Sequence, residues 1–191
     1  MSQISHHTFL FPKTRDLANT TLSTTDSFGN QIPIYTIQSN SSSHRSITIT
    51  TFPTPAPSHQ SKLEVAEITY HSISSKITLN LRGHAFEMRR RDPLSTGHAF
   101  TSPFTKNETW SWKEEKFLSS GLKLVDHEGK ILARLAKNVG GGRGRGIEVF
   151  VKDDGKGLVE FIVVTGIAAA VYRQRSDEDL GIVDEVLGWL I

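Results

Sequence analysis

Cysteine is absent from the 191-residue sequence. Disulfide bonds, cysteine-based zinc sites and thiol catalysis are therefore excluded, and nothing indicates an oxidising compartment. A large excess of one charge is also absent, since 22 Lys and Arg residues stand against 20 Asp and Glu residues. The resulting net charge of +2 is too small to indicate nucleic acid binding by itself.

Long apolar segments are missing as well. The longest apolar run is far shorter than the ~20 residues that a membrane-spanning helix needs. Residues 1–10 also lack the basic start and the apolar core of a secretory signal. We therefore expect a cytoplasmic protein without a transmembrane span.

The most informative segment that is present is an uncharged apolar run, Phe161–Tyr172. A helix that is apolar on every face requires burial on every face. Enclosing one helix completely takes a closed wall of strands. We therefore predict that residues 160–174 form a helix inside a barrel.

Strand patterns precede this helix in large number. Ser46–Thr51 alternates β-branched apolar and hydroxyl residues, and Lys76–Arg82 alternates apolar with polar residues. The predicted fold is mainly β: a closed antiparallel barrel around a central hydrophobic helix, in one domain over residues 1–191 with its core at about 7–175. The predicted strands are 9–11, 32–37, 46–51, 63–70, 76–82, 109–113, 122–124, 131–135 and 147–151.

The C-terminal tail, residues 176–191, has a different pattern. Ser176–Asp179 matches a capping box, and four apolar residues follow at helical spacing. This predicts a short terminal amphipathic helix that docks on the barrel or on a protein partner. The apolar residues are Leu180, Val183, Leu187 and Leu190.

The order of several short motifs resembles the tubby C-terminal-like domains, and in particular short fungal members of unknown function. An opening strand comes first, and the resemblance spans residues 9 to about 175. The motifs are Phe28–Asn30 before Ile34–Thr36, Val65–Thr69, Trp110–Lys113, Leu124–Gly129 leading into Ala133, and Ile162–Thr165.

The resemblance implies a barrel of roughly twelve strands threaded by a hydrophobic helix. Relatives of this kind include phosphoinositide-binding tubby proteins and phospholipid scramblases. Their lipid-binding residues are not carried over, because no motif in this sequence matches them. The tail after Ser176 also departs from the family pattern.

Two arginine clusters are the candidate binding residues. Gly140–Gly146 contains Arg143 and Arg145, and a glycine-rich backbone with guanidinium groups can hold phosphate. The other interpretation is a solvated hairpin loop. Arg89, Arg90 and Arg91 similarly form either a basic patch for phosphates and anionic lipid head groups or a solvated loop before proline.

No catalytic, metal or cofactor pattern accompanies these clusters. Adjacent acidic residues point to opposite faces of a strand, and no nucleophile elbow is present. Trp110 and Trp112 are expected in the barrel core. We therefore expect a non-enzymatic binding or scaffold module without metal or cofactor, which attaches peripherally to anionic phospholipid surfaces. The alternatives are a ligand-carrying barrel and, less favoured, a nucleic-acid-binding module.

Overall fold

The computed structural model of the protein describes residues 7–12, 16–40, 45–52, 63–71, 74–90, 97–105, 107–115, 121–139, 144–151 and 157–179. These residues form twelve strands followed by one helix. The strands are β1 His7–Phe11, β2 Thr20–Thr25, β3 Gln31–Ser39, β4 Ser46–Thr51, β5 Glu64–Tyr70, β6 Ile77–Leu81, β7 His84–Arg90, β8 His98–Thr101, β9 Thr109–Glu114, β10 Leu122–Val125, β11 Ile131–Val139 and β12 Gly144–Val149, and the helix is α1 Leu158–Asp179.

The strands close into an antiparallel barrel in which each strand from β2 to β12 pairs with its neighbours along the chain. The barrel closes where β1 pairs with β12, with Phe9 opposite Ile147 and Phe11 opposite Arg145. Gly146 permits this closure, because a Cβ there would lie 2.1 Å from the carbonyl oxygen of Phe9.

The helix α1 occupies the inside of the barrel. Every residue from Phe161 to Val171 is buried. Trp112 donates its indole N–H to the hydroxyl of Thr165 at 3.1 Å, and Gly166 faces both Trp112 and Ile147. The predicted helix buried on all faces is thus confirmed along its central turns. The helix extends beyond this part at both ends, where Leu158, Glu160 and residues 172–176 are half-buried.

Several element boundaries differ from the prediction. The strands β2, β7 and β8 were not predicted, and β12 begins at Gly144 rather than at Ile147. The predicted capping box is wrong, because Ser176–Asp179 forms the last turn of α1 and the Ser176 hydroxyl donates to the carbonyl of Tyr172 at 3.1 Å. The predicted tail helix from residue 180 onward lies outside the described residues.

The alternating strand directions give the barrel two distinct ends. At one end, the odd-numbered strands finish and the even-numbered strands begin. The helix α1 also finishes there, and we call it the basic end. Among the described residues at or near it, basic residues outnumber acidic ones, which are Asp16, Glu87, Glu114, Glu115 and the final helical residues 177–179. The basic residues are Arg45, Lys76, Arg89, Arg90, Lys113, Lys123, Lys137, Arg145, Arg173 and Arg175.

The opposite end, where α1 begins, we call the acidic end. In the described residues its basic side chains are Arg82 and Lys130. Its acidic side chains are Asp26, Glu64, Glu108, Asp126, Glu128 and Glu160.

Candidate functional site

The clustered arginines that the structure describes lie on strands that are not neighbours in the barrel. Arg89 and Arg90 lie in β7 and Arg145 lies in β12, with the strands β8 to β11 between them. All three are at the basic end. Arg91 and Arg143 lie outside the described residues.

Arg89 is exposed but is held by an acidic neighbour. Its guanidinium donates to Glu87 Oε2 through Nε at 2.9 Å and through Nη2 at 2.5 Å. Lys76 pairs with the other oxygen of the same carboxylate. The hydrogen bonds from Lys76 and Arg89 lower the pKa of Glu87. Arg89 is therefore partly neutralised, and the alternative interpretation that places it in a solvated loop is wrong, since it is a residue of β7.

Arg90 points into the basic end of the barrel. Its guanidinium lies 5.3 Å from the ring centroid of Tyr172 on α1, a cation–π geometry, and its Nε is buried without a hydrogen-bond partner in the described part of the chain. The ring of His98 contacts the same tyrosine at 4.5 Å. Arg90 thus belongs to the packing around the C-terminal turns of α1.

Arg145 has a similar inward position. It shares the face of β12 that carries buried Ile147, and it lies opposite Phe11 in the β1 pairing. Burial lowers the pKa of its guanidinium. The loop predicted over residues 140–146 is therefore wrong at its end, because Gly144–Gly146 is already part of the β12 ladder.

A different set of basic side chains is brought together by strand register. Lys113 on β9 lies directly opposite Lys123 on β10, and Lys123 lies directly opposite Arg134 on β11. Their strand neighbours Trp112, Leu124 and Ala133 face the core, so the three cations face outward. Directly opposed residues in an antiparallel pair have Cα atoms ~5 Å apart. We call Lys113, Lys123 and Arg134 the basic row.

Arg134 is balanced, whereas the two lysines are not. Arg134 Nε lies 3.4 Å from the Glu115 carboxylate, and Glu148 lies opposite Arg134 on β12. Neither lysine has an ion-pair partner among the residues that the structure describes. Like charges directly opposite each other destabilise a sheet. The two lysines of the row therefore offer uncompensated positive charge on the outer wall near the basic end.

The acidic end carries a groove of about 740 Å³ beside the first turn of α1. Its polar part joins three distant segments: Arg82 binds Glu160 through Nε at 2.6 Å and Nη2 at 2.9 Å, and the Tyr35 hydroxyl donates to Glu160 at 3.2 Å. Burial first, and then Glu160, raises the pKa of Tyr35 well above its usual range. The same carboxylate raises the pKa of Arg82.

The apolar part of this groove is aromatic. Phe86 and Phe104 contact Phe161 with ring centroids 5.0 and 5.2 Å away. The polar cluster is internally paired, so the groove suits an apolar side chain more than a free ion. No three His, Asp or Glu side chains of the described segments gather as metal ligands would.

Fold and surface together define a small closed barrel filled by its own helix, with oppositely charged ends. The sequence profile of DUF6593, a family of unknown function, matches residues 15–175. The chain therefore belongs to the DUF6593 family. No curated protein matches the sequence.

One X-ray structure of a protein from Arabidopsis thaliana is similar, with a TM-score of 0.42 and 11% sequence identity. The match covers 83% of this chain and 88% of that chain. At this similarity the fold assignment rests on the strand order of the present structure alone.

Among the described residues no helix is both long and apolar enough to cross a membrane.

Proposed function

We propose that the protein is a non-enzymatic binding module that attaches peripherally to anionic phospholipid surfaces through the basic row. The observation that supports this most is the register that places Lys113, Lys123 and Arg134 side by side on the outer wall. Anionic head groups attract Lys and Arg by ~1 kcal/mol for each residue near the surface. The negatively charged cytoplasmic leaflet is the surface of this kind, which agrees with a cytoplasmic location.

The resemblance to tubby-like domains supports the same class of ligand but supplies no residues. The ligand-carrier alternative is disfavoured, because α1 fills the space in which a carried ligand would lie. The nucleic-acid alternative has less support, since Trp110 and Trp112 are buried beneath this row and offer bases no stacking surface.

Vesicle sedimentation tests the proposal. Wild-type protein is expected to sediment with phosphatidylcholine vesicles that contain phosphatidylserine, and to be released as ionic strength rises and the Debye length falls to ~8 Å. The double variant Lys113→Gln, Lys123→Gln removes about 2 kcal/mol of attraction, which corresponds to roughly 30-fold weaker binding.

Lys130→Glu is the matched control, because it lowers the net charge by the same two units at the acidic end. It is expected to leave binding nearly unchanged. Equal loss in both variants, or no wild-type binding at low salt, would refute the basic row as the binding surface. Binding to duplex DNA that exceeds binding to vesicles would favour the nucleic-acid alternative.

A further inference from the structure

The exposed large apolar side chains of the described residues are gathered at the acidic end. Each of them lies at the end of a strand there or in a loop that joins two strands there. Single exposed apolar residues are ordinary, but a cluster at one end marks an interaction site. These residues are Phe28, Ile32, Phe52, Leu63 and Phe104.

Backbone pairing places three of them on adjoining strands. The N–H of Phe52 donates to the carbonyl of Ile34 at 2.7 Å, which sets Phe52 beside the β3 segment that contains Ile32. The N–H of Thr51 donates to the carbonyl of Leu63 at 2.9 Å. Leu63 is 56% exposed and Phe52 is 40% exposed, so both offer apolar surface to a partner.

The aromatic groove opens at the same end. Phe104 is 37% exposed, and its ring packs on Phe161 at the start of α1. Arg82 lines this groove and follows β6, the strand that pairs with β5. The exposed apolar residues next to β5 and the groove next to β6 therefore lie on neighbouring strands at the same end of the barrel.

The acidic residues beside these apolar side chains determine which kind of apolar partner can bind. Glu64 adjoins Leu63, and Glu108, whose carboxylate lies 3.3 Å from His127 Nδ1, is in the connection that contains Phe104. Arg82 is already paired with Glu160, so it offers little uncompensated positive charge. An anionic membrane would be repelled from this end, whereas a chain that carries Lys or Arg beside apolar side chains would be attracted.

We infer that the acidic end is a docking surface for a protein segment that combines apolar anchor residues with Lys or Arg residues. An apolar side chain of the segment fills the aromatic groove, and basic residues face Glu64 and Glu108. The surface is separate from the basic row. Lipid and protein partner could therefore be bound at the same time, as a scaffold role requires.

Fluorescence anisotropy tests this inference with two labelled peptides of equal Leu and Phe content. One peptide carries Lys at its polar positions, and the other carries Glu at the same positions. Full-length protein is expected to bind the Lys peptide at least about tenfold more tightly than the Glu peptide. The double variant Phe52→Ser, Leu63→Ser is expected to weaken binding of the Lys peptide about tenfold.

Glu64→Lys provides a second variant that leaves the apolar residues in place, and it is expected to narrow the preference for the Lys peptide. Arg89→Gln, at the basic end, is the control, and it should leave the binding of both peptides unchanged. Equal binding of both peptides, or unchanged binding by the Ser variant, would overturn the inference.

Two other outcomes would assign the surface differently. Self-association that Phe52→Ser and Leu63→Ser abolish would identify a second copy as the occupant. Sedimentation with neutral vesicles that these substitutions abolish would identify a membrane. Either result, without selective binding of the Lys peptide, refutes a basic protein segment.

Discussion

Two tryptophans on β9 differ by one hydrogen bond. Trp112 donates to Thr165, whereas the indole N–H of Trp110 is buried without a partner in the described part of the chain. Both substitutions to Phe remove a similar volume, but only Trp112→Phe also removes a hydrogen bond. We expect Trp112→Phe to lower the free energy of unfolding by about 1 kcal/mol more than Trp110→Phe does.

Chemical denaturation of the two variants measures this difference. In the background of Thr165→Val, where the acceptor is gone, the difference between the two tryptophan variants should shrink. A difference that persists there would show that packing, and not the hydrogen bond, separates the two sites.

The Tyr35 hydroxyl is expected to lose its proton at a higher pH than an ordinary tyrosine does. Its pKa is raised, so the neutral form is favoured in the folded protein, and its contribution to stability is present below the ordinary tyrosine pKa of 10. That contribution is lost only as pH rises toward the folded pKa. Tyr35→Phe should therefore leave the tyrosinate absorbance change near pH 10 unaltered while the fold persists. A smaller change in this variant would contradict the assignment.

At the scale of the element, the closing strand pair depends on one glycine. Gly146→Ala would force a Cβ into the carbonyl of Phe9, a backbone atom that cannot move without shifting β1. We expect a loss of about 3 kcal/mol or more in the free energy of unfolding. Gly129→Ala is the control, because its Cβ would meet open space and only its positive φ of 85° is strained. Comparable losses for both would argue against a close β1–β12 approach.

The helix interior supports a second prediction at this scale. Ala169 is 4% exposed inside the barrel, so Ala169→Asp would bury an unpaired charge. The expected cost is several kcal/mol, a large share of a typical ~5–15 kcal/mol stability. Thermal melting that is little changed would show that this face of α1 is not enclosed.

The sequence predicts strands well where burial alternates and poorly where it does not. Lys76–Arg82 has three apolar residues on one face, and the structure confirms a strand there. Thr20–Thr25 has one apolar residue, and His84–Arg90 alternates apolar with charged residues only from Phe86 to Arg89, so both patterns are short. Pairing with neighbouring strands, such as that of Ile77 with Met88, decides these strands.

The candidate surfaces could not be predicted for a related reason. Lys113 and Lys123 each occupy an outward position that local alternation allows, but only the β9–β10 register places them opposite each other. Tyr35, Arg82 and Glu160, which hydrogen-bond to one another at the acidic end, are even farther apart in the sequence. Local patterns carry no information about such pairings, whereas the apolar run that forms α1 is visible without any partner.

At the scale of the whole molecule, barrel and helix share one core. A chain ending at Val151 would lack α1, and the inward side chains of the strands would then surround empty space. We expect this chain to show no cooperative thermal transition and to bind a hydrophobic dye. A chain ending at Asp179 keeps α1 and should melt cooperatively. Cooperative melting of the shorter chain would mean that the strands are stable without the helix.

The position of α1 after all twelve strands has a consequence for synthesis on the ribosome. Chains are made from the N-terminus, yet β1, which pairs with β2 early, finds its second partner only when β12 appears, and the interior is filled later still. Until then the apolar faces of the strands have nothing to cover them. Such long-range closure slows folding and prolongs exposure to aggregation. We therefore expect the unfinished chain to be more prone to aggregation than the complete one until α1 has been made.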